Sequence, residues 1–153
     1  MGTRNVSEPG EGTVITYRSV VYPAQCDAMG HMNVQHIVAA FDQAIWHLVH
    51  ELGYRSSWVT EQHRGWADVR YLINYHRELR AGEPFYVTSG VVRVGNSSLV
   101  TLHQVRQAES GEIAADTETT SVYFDLTARK SVSLPADIKA AAQSLLAVGD
   151  RQG

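Results

Sequence analysis

Asp27-Ala28-Met29-Gly30-His31-Met32-Asn33 leads straight into a segment whose apolar residues recur at three- and four-residue steps. Val34, Ile37, Val38, Phe41, Ala44, Ile45, Leu48 and Leu52 make the stripe; Gln35, His36, Asp42, Gln43, His47, His50 and Glu51 fall opposite. That period is helical, and Gly53 supplies a C-terminal stop. The spacing predicts a helix reaching Leu52, roughly 30 Å long at 1.5 Å per residue and long enough to cross a small domain. No other long, clear helix occurs in the first two-thirds of the chain, so the remainder has to be built around this one.

The remainder reads as strands. Val14 to Val21 is β-prone and is stopped by Pro23. Tyr54 to Arg64 is irregular, a loop or short helix. Gly65 to Leu79 carries a second strand, expected to break or bend around Ile73 to His76. After the Ala81-Gly82-Glu83-Pro84 turn come Phe85 to Val94, Ser98 to Gln107 and Ile113 to Asp125, joined by loops of hairpin length. Val132 to Leu134 reads as a strand end, and Pro135 opens a short terminal helix through Val148. A strand, a long helix and then antiparallel strands predict an α+β domain over residues 13–150, its sheet wrapped around the helix to bury the apolar stripe. Residues 1–12, rich in Gly, Glu and Ser, read as a flexible tail.

Composition narrows the function classes. At 153 residues, 44% hydrophobic and 19% charged, the chain suits one globular domain with a real core. Its formal net charge of −3 gives no basic footprint for nucleic acid. No apolar run approaches the ~20 residues of a membrane span, and the polar N-terminus lacks the apolar core of a signal peptide. One cysteine, Cys26, excludes an intrachain disulfide and suits a reducing compartment. The expectation is a cytoplasmic protein with no nucleic-acid or membrane partner.

Chemistry gathers at the helix entrance. Unpaired backbone N–H groups and the positive end of the helix dipole favour developing negative charge there. A turn through Gly30 could set the Asp27 carboxylate beside them, and one acid next to a ready oxyanion site is an arrangement that suits acyl transfer. Asp27 could equally cap its own turn, and Asn33 is a natural N-cap that needs no catalytic role.

Asp-x-x-Gly-His-x-Asn running into a long helix resembles the active-site segment of the hotdog-fold acyl-CoA thioesterases, in the branch that includes 4-hydroxybenzoyl-CoA thioesterase. Asn74-Tyr75-His76-Arg77-Glu78-Leu79-Arg80-Ala81-Gly82-Glu83 and the Val94-Gly95-Asn96-Ser97-Ser98 turn are similar to later strands of that family, so the resemblance spans about Val14 to Pro135. It implies a hotdog fold, a homodimer or homotetramer paired through its sheets, and active sites at the subunit boundary. It also implies hydrolysis of an acyl-CoA with no metal or other cofactor, the coenzyme A moiety being part of the substrate. Asp27 matches the acid that attacks the thioester carbon or activates water. The Val34 N–H matches the group that polarises the carbonyl, and an amide at Asn33 can orient acid or water. His31 could orient Asp27, meet the pantetheine arm or shuttle a proton; the alternative is a structural turn histidine.

Substrate-binding candidates are Gly30, His36, Trp66, Asn96 and Ser97. Trp66, with Trp46, Trp58 and Tyr71, could form an acyl pocket, although aromatics more often build core or interface. His36 fits subunit packing equally well. Asn96 and Ser97 lie in a turn that in relatives runs near the nucleotide or pantetheine. Arg77, Arg80, Arg93 and Arg106 could meet phosphates. His47, His50 and Glu51 do not match a metal-binding pattern. Many relatives carry a second Asn and a Tyr where this chain has Val34 and Ile37, which removes a hydroxyl from the site. Two other readings stand beside hydrolysis: a hotdog hydratase or dehydratase, and an acyl-CoA binder in which Asp27 only caps.

Overall fold

The computed structural model describes residues 12–146. All of the expected tail except Gly12, together with Ala147 and Val148 at the end of the expected terminal helix, lies outside the described residues. The elements are β1 (Thr13–Val20), α1 (Val34–Glu51), a four-residue α2 (Trp58–Glu61), β2 (Arg64–Tyr75), β3 (Pro84–Val94), β4 (Ser98–Gln107), β5 (Ile113–Asp125), the two-residue β6 (Lys130–Ser131) and α3 (Ala136–Ser144). Every strand pairing is antiparallel, in the order β1-β3-β4-β5-β2, with β6 on β5. The sheet curls around α1, which packs on β1, β3 and β4. This is the hotdog architecture.

Helix α1 starts where its cap dictates. Asn33 keeps extended backbone (φ −67°, ψ 145°), and its Oδ1 accepts the Gln35 N–H at 3.0 Å. Gly53 ends it at φ +111°, a left-handed conformation that costs glycine little. The buried arc is wider than the sequence stripe and turned from it. Ala40 and Val49 are buried, Val38 is only partly buried, and Val34 is 50% exposed. A concave sheet touches more of a helix than a flat one, and the first turn projects past its rim.

Strand β2 corrects another expectation. It runs unbroken to Tyr75, and its irregularity is a bulge between Asp68 and Arg70. Pairing with Ala115 to Asp125 of β5 carries it through Ile73; the chain leaves the sheet at His76, where the His76 and Arg77 N–H groups share the Ala114 carbonyl. The strand end expected at Val132 to Leu134 is Lys130–Ser131.

Two apolar clusters fill the concave face. One joins Ile37, Ala40, Phe41 and Ala44 to Phe85, Val87, Val105 and Ala115; the other joins Leu48, Val49 and Leu52 to Val91, Leu99, Tyr123 and α3. Between them crosses a buried polar row. Ser89, His103 and Thr117 are cross-strand neighbours on the face that carries Val87 and Val105. His103 is fully buried, its Nδ1 2.6 Å from Ser89 Oγ and its Nε2 2.8 Å from Thr101 Oγ1. Burial without a counter-charge holds its pKa down to about 3, so the ring stays neutral.

Candidate active site

The Asp27–Asn33 run folds into a closed loop. The Asp27 N–H donates to the His31 carbonyl at 2.8 Å, and the Gly30 N–H returns to the Asp27 carbonyl at 3.0 Å. Gly30 takes φ +84° at the tip, which a side chain would strain. Asp27 Oδ1 accepts the Met29 N–H at 2.9 Å and the His31 N–H at 3.4 Å. The capping role is therefore real, yet it occupies one carboxylate oxygen and leaves the other with no hydrogen-bond partner among the described residues.

The loop is fastened on both sides. The Asn33 N–H donates to the Gln25 carbonyl, and the Met32 N–H donates to the Leu79 carbonyl at 2.7 Å. His31 pairs with Arg80 in a bridge, and its Nε2 lies 2.9 Å from Glu78 Oε2. The segment between β2 and β3 is thus the back wall of the loop.

At the helix start the N–H groups divide their partners. Gln35 binds the Asn33 side chain, while His36 and Ile37 bind the Asn33 carbonyl. The Val34 N–H has no partner among the described residues. Such a donor at the positive end of a helix is suited to an oxyanion.

Asp27 and Val34 line one cavity of about 340 Å³. His31 and Glu78 form one wall; Met32, Ile37 and Leu79 form the floor; Met29, Tyr75 and Arg77 complete the rim. Burial raises the pKa of the Tyr75 hydroxyl, so it keeps its proton at neutral pH. A thioester carbonyl in this hollow would have a carboxylate and a backbone donor within the same enclosure.

The structure brings Asp27, His31 and Val34 together at the cavity, with Gly30 shaping the loop and Asn33 setting the helix start. Other candidates lie elsewhere on the chain. His36 is half-buried on α1 and does not line the hollow. Trp66 stands nine residues of extended strand before Tyr75, about 30 Å, and packs on Tyr54 and Tyr123 with ring centroids 6.1 and 5.1 Å away. Asn96 and Ser97 turn β3 into β4, where their carbonyls accept the Leu134 and Tyr123 N–H groups.

Arg77 pairs with Glu112, and Arg106 binds Gln104 and the Gly111 carbonyl. His50 Nδ1 bonds the Trp46 carbonyl at 2.8 Å. No three His, Cys, Asp or Glu side chains come together as metal ligands among the described residues. No helix among them is long and apolar enough to cross a membrane. Sequence reasoning missed the cavity roles of Met29, Met32, Tyr75, Glu78 and Leu79. The signals that could have found them were the place of Met29 and Met32 inside the motif and of Tyr75, Glu78 and Leu79 inside the run over residues 74–83.

The sequence model of the thioesterase-like superfamily matches residues 21–142. No curated protein matches. Among solved structures, a hypothetical protein of Staphylococcus aureus in complex with CoA superposes with a TM-score of 0.80 at 16% identity, over 87% of this chain and 84% of that one. A thioesterase of Thermus thermophilus complexed with coenzyme A and Zn gives 0.74 at 24% identity, over 88% and 96%. A 1,4-dihydroxy-2-naphthoyl-CoA thioesterase of Synechocystis gives 0.74 at 20% identity, over 86% and 96%.

Proposed function

The chain belongs to the thioesterase-like superfamily, and on that premise we propose that it hydrolyses an acyl-CoA to a free carboxylic acid and coenzyme A. The observation that carries this reading is that Asp27 and Val34, whose N–H has no partner among the described residues, line one cavity. The Val34 N–H holds the oxygen as the thioester carbonyl becomes tetrahedral. Asp27 either attacks the carbonyl carbon, giving an anhydride that water then cleaves, or takes a proton from the attacking water. The C–S bond breaks, the thiolate leaves and takes a proton, and the acyl carbon gains the water oxygen. His31, tied to Glu78, and Asn33, which starts the helix, are supporting groups. The reaction so written calls for no metal or redox cofactor.

A second copy of the chain is part of the proposal. β2 ends the sheet, its outer edge is unpaired among the described residues, and it exposes Val69 at 62%, Leu72 at 48% and Tyr75 at 51%. A long apolar edge of this kind is stable when paired. Tyr75 lies on both this edge and the cavity rim, so pairing would place the partner at the site mouth. Homodimer or homotetramer, and a cytoplasmic location, belong to the same reading.

The test follows free thiol release from acyl-CoA thioesters for wild type and Asp27→Asn. Asparagine keeps the oxygen that accepts the Met29 and His31 N–H groups, so the loop persists while the charge goes. A loss of at least a hundredfold in kcat is expected. Hydrolysis at the wild-type rate would sink the assignment.

A further inference from the structure

The walls of the cavity say more than its catalytic groups. Met29, Met32, Val34, Ile37 and Leu79 present aliphatic or thioether surface to it. Met29 is 76% exposed and Val34 is 50% exposed, so apolar side chains stand uncovered around the mouth in one chain. The basic side chains of the lining already have partners: His31 faces Glu78, and Arg77 faces Glu112. The charge left toward the hollow is that of Asp27, a carboxylate. Ile37, 6% exposed, forms the floor one turn inside α1 and offers no hydroxyl or amide to a substrate.

A water molecule's share of liquid volume is about 30 Å³, and a methylene has similar bulk. A hollow of about 340 Å³ therefore holds the thioester oxygen and sulfur and an acyl group of roughly six to eight carbons in all. Burying each one favours binding by roughly fourfold. A second carboxylate at the chain end would meet Asp27 and Glu78 with no uncommitted cation in the lining to balance it. Methionines at the mouth and floor adapt to chains of differing shape.

We propose that this cavity selects an uncharged hydrocarbon acyl group of roughly six to eight carbons, over short acyl groups and over acyl groups ending in a carboxylate, with Ile37 and Met29 setting that choice. This rests on the hydrolase reading for its location and adds the substrate class.

The experiment compares kcat/KM for acetyl-, butyryl-, hexanoyl- and succinyl-CoA on the full-length protein. Hexanoyl over acetyl by roughly two hundredfold is expected from four buried methylenes, with butyryl well above succinyl. A flat profile, or succinyl at or above butyryl, overturns the proposal while leaving hydrolysis standing. If nothing turns over, calorimetric binding decides. Hexanoyl-CoA binding tighter than succinyl-CoA upholds the substrate class and overturns hydrolysis; equal binding overturns both. Met29→Ala, a change at an exposed site, and Ile37→Thr should each cut the hexanoyl-to-acetyl ratio severalfold. A ratio untouched in both variants would show that the acyl chain goes elsewhere.

Discussion

The imidazole of His31 is joined at 2.9 Å to the carboxylate of Glu78, a residue 47 positions later in the chain. The pair ties the loop that carries Asp27 to the segment between β2 and β3, alongside the backbone bond from Met32 to Leu79. Glu78 is 65% exposed, so the pair itself contributes at most about 1 kcal/mol to stability. Its value lies in orientation. Glu78→Gln should lower kcat severalfold while moving the melting temperature by no more than about 3 °C. A melting loss out of proportion to the activity loss would make the pair merely structural.

Val34→Pro tests the oxyanion donor without touching a side chain that does chemistry. Proline is favoured at the first helical position, and Asn33 already has the extended backbone that precedes proline. The substitution deletes one N–H that has no partner among the described residues. Expected are a kcat loss of roughly a hundredfold or more and an unchanged far-UV spectrum. Retained activity would remove Val34 from the mechanism.

Asn33→Ala should cost about 1 kcal/mol through loss of the helix cap, while Asn33→Asp should restore it. Denaturant titration separates the two. If activity falls with Asn33→Asp at full stability, the amide has a role in orienting acid or water beyond capping.

His103 makes stability depend on pH. Its pKa is about 3 in the folded chain and 6.5 when free, so the unfolded state binds a proton that the folded state refuses. Above pH 6.5 there is no penalty. Between 6.5 and 3 stability falls as pH falls, by up to about 1.4 kcal/mol per pH unit from this group alone. Denaturation midpoints from pH 7 to 4 should show that slope, and His103→Gln, which cannot protonate, should be shallower. Parallel slopes would clear His103 of the effect.

The proposed pairing of two copies through β2 predicts that Leu72→Lys, which puts a charge on that exposed edge, shifts the protein toward monomer in sedimentation, with activity lost in step because Tyr75 shares the edge and the cavity rim. A variant that sediments like wild type would overturn pairing through β2.

Local physics was legible in the residues. Helix period, the Asn33 cap, the Gly53 stop and the hairpin turns each arise from a few neighbours, and the strands at Ser98–Gln107 and Ile113–Asp125 fall where the β-prone runs predict. The motif loop was legible for the same reason, since Asp27, Gly30 and His31 close it among themselves. Trp66 was not. An indole is equally at home in a pocket or a core, and only its packing on Tyr54 and Tyr123 decided between them.

What the sequence determined by itself was therefore a helix of known length with an acid and backbone N–H donors at its start, and strands enough to enclose it. The tertiary structure decided the rest. β2 passes over β3 and β4 to pair with β5, the Ser89–His103–Thr117 row crosses the core, and Glu78 comes to His31. Those contacts join residues far apart in the chain, and their free energy depends on the whole sheet closing around α1 at once. No local window of residues contains that condition.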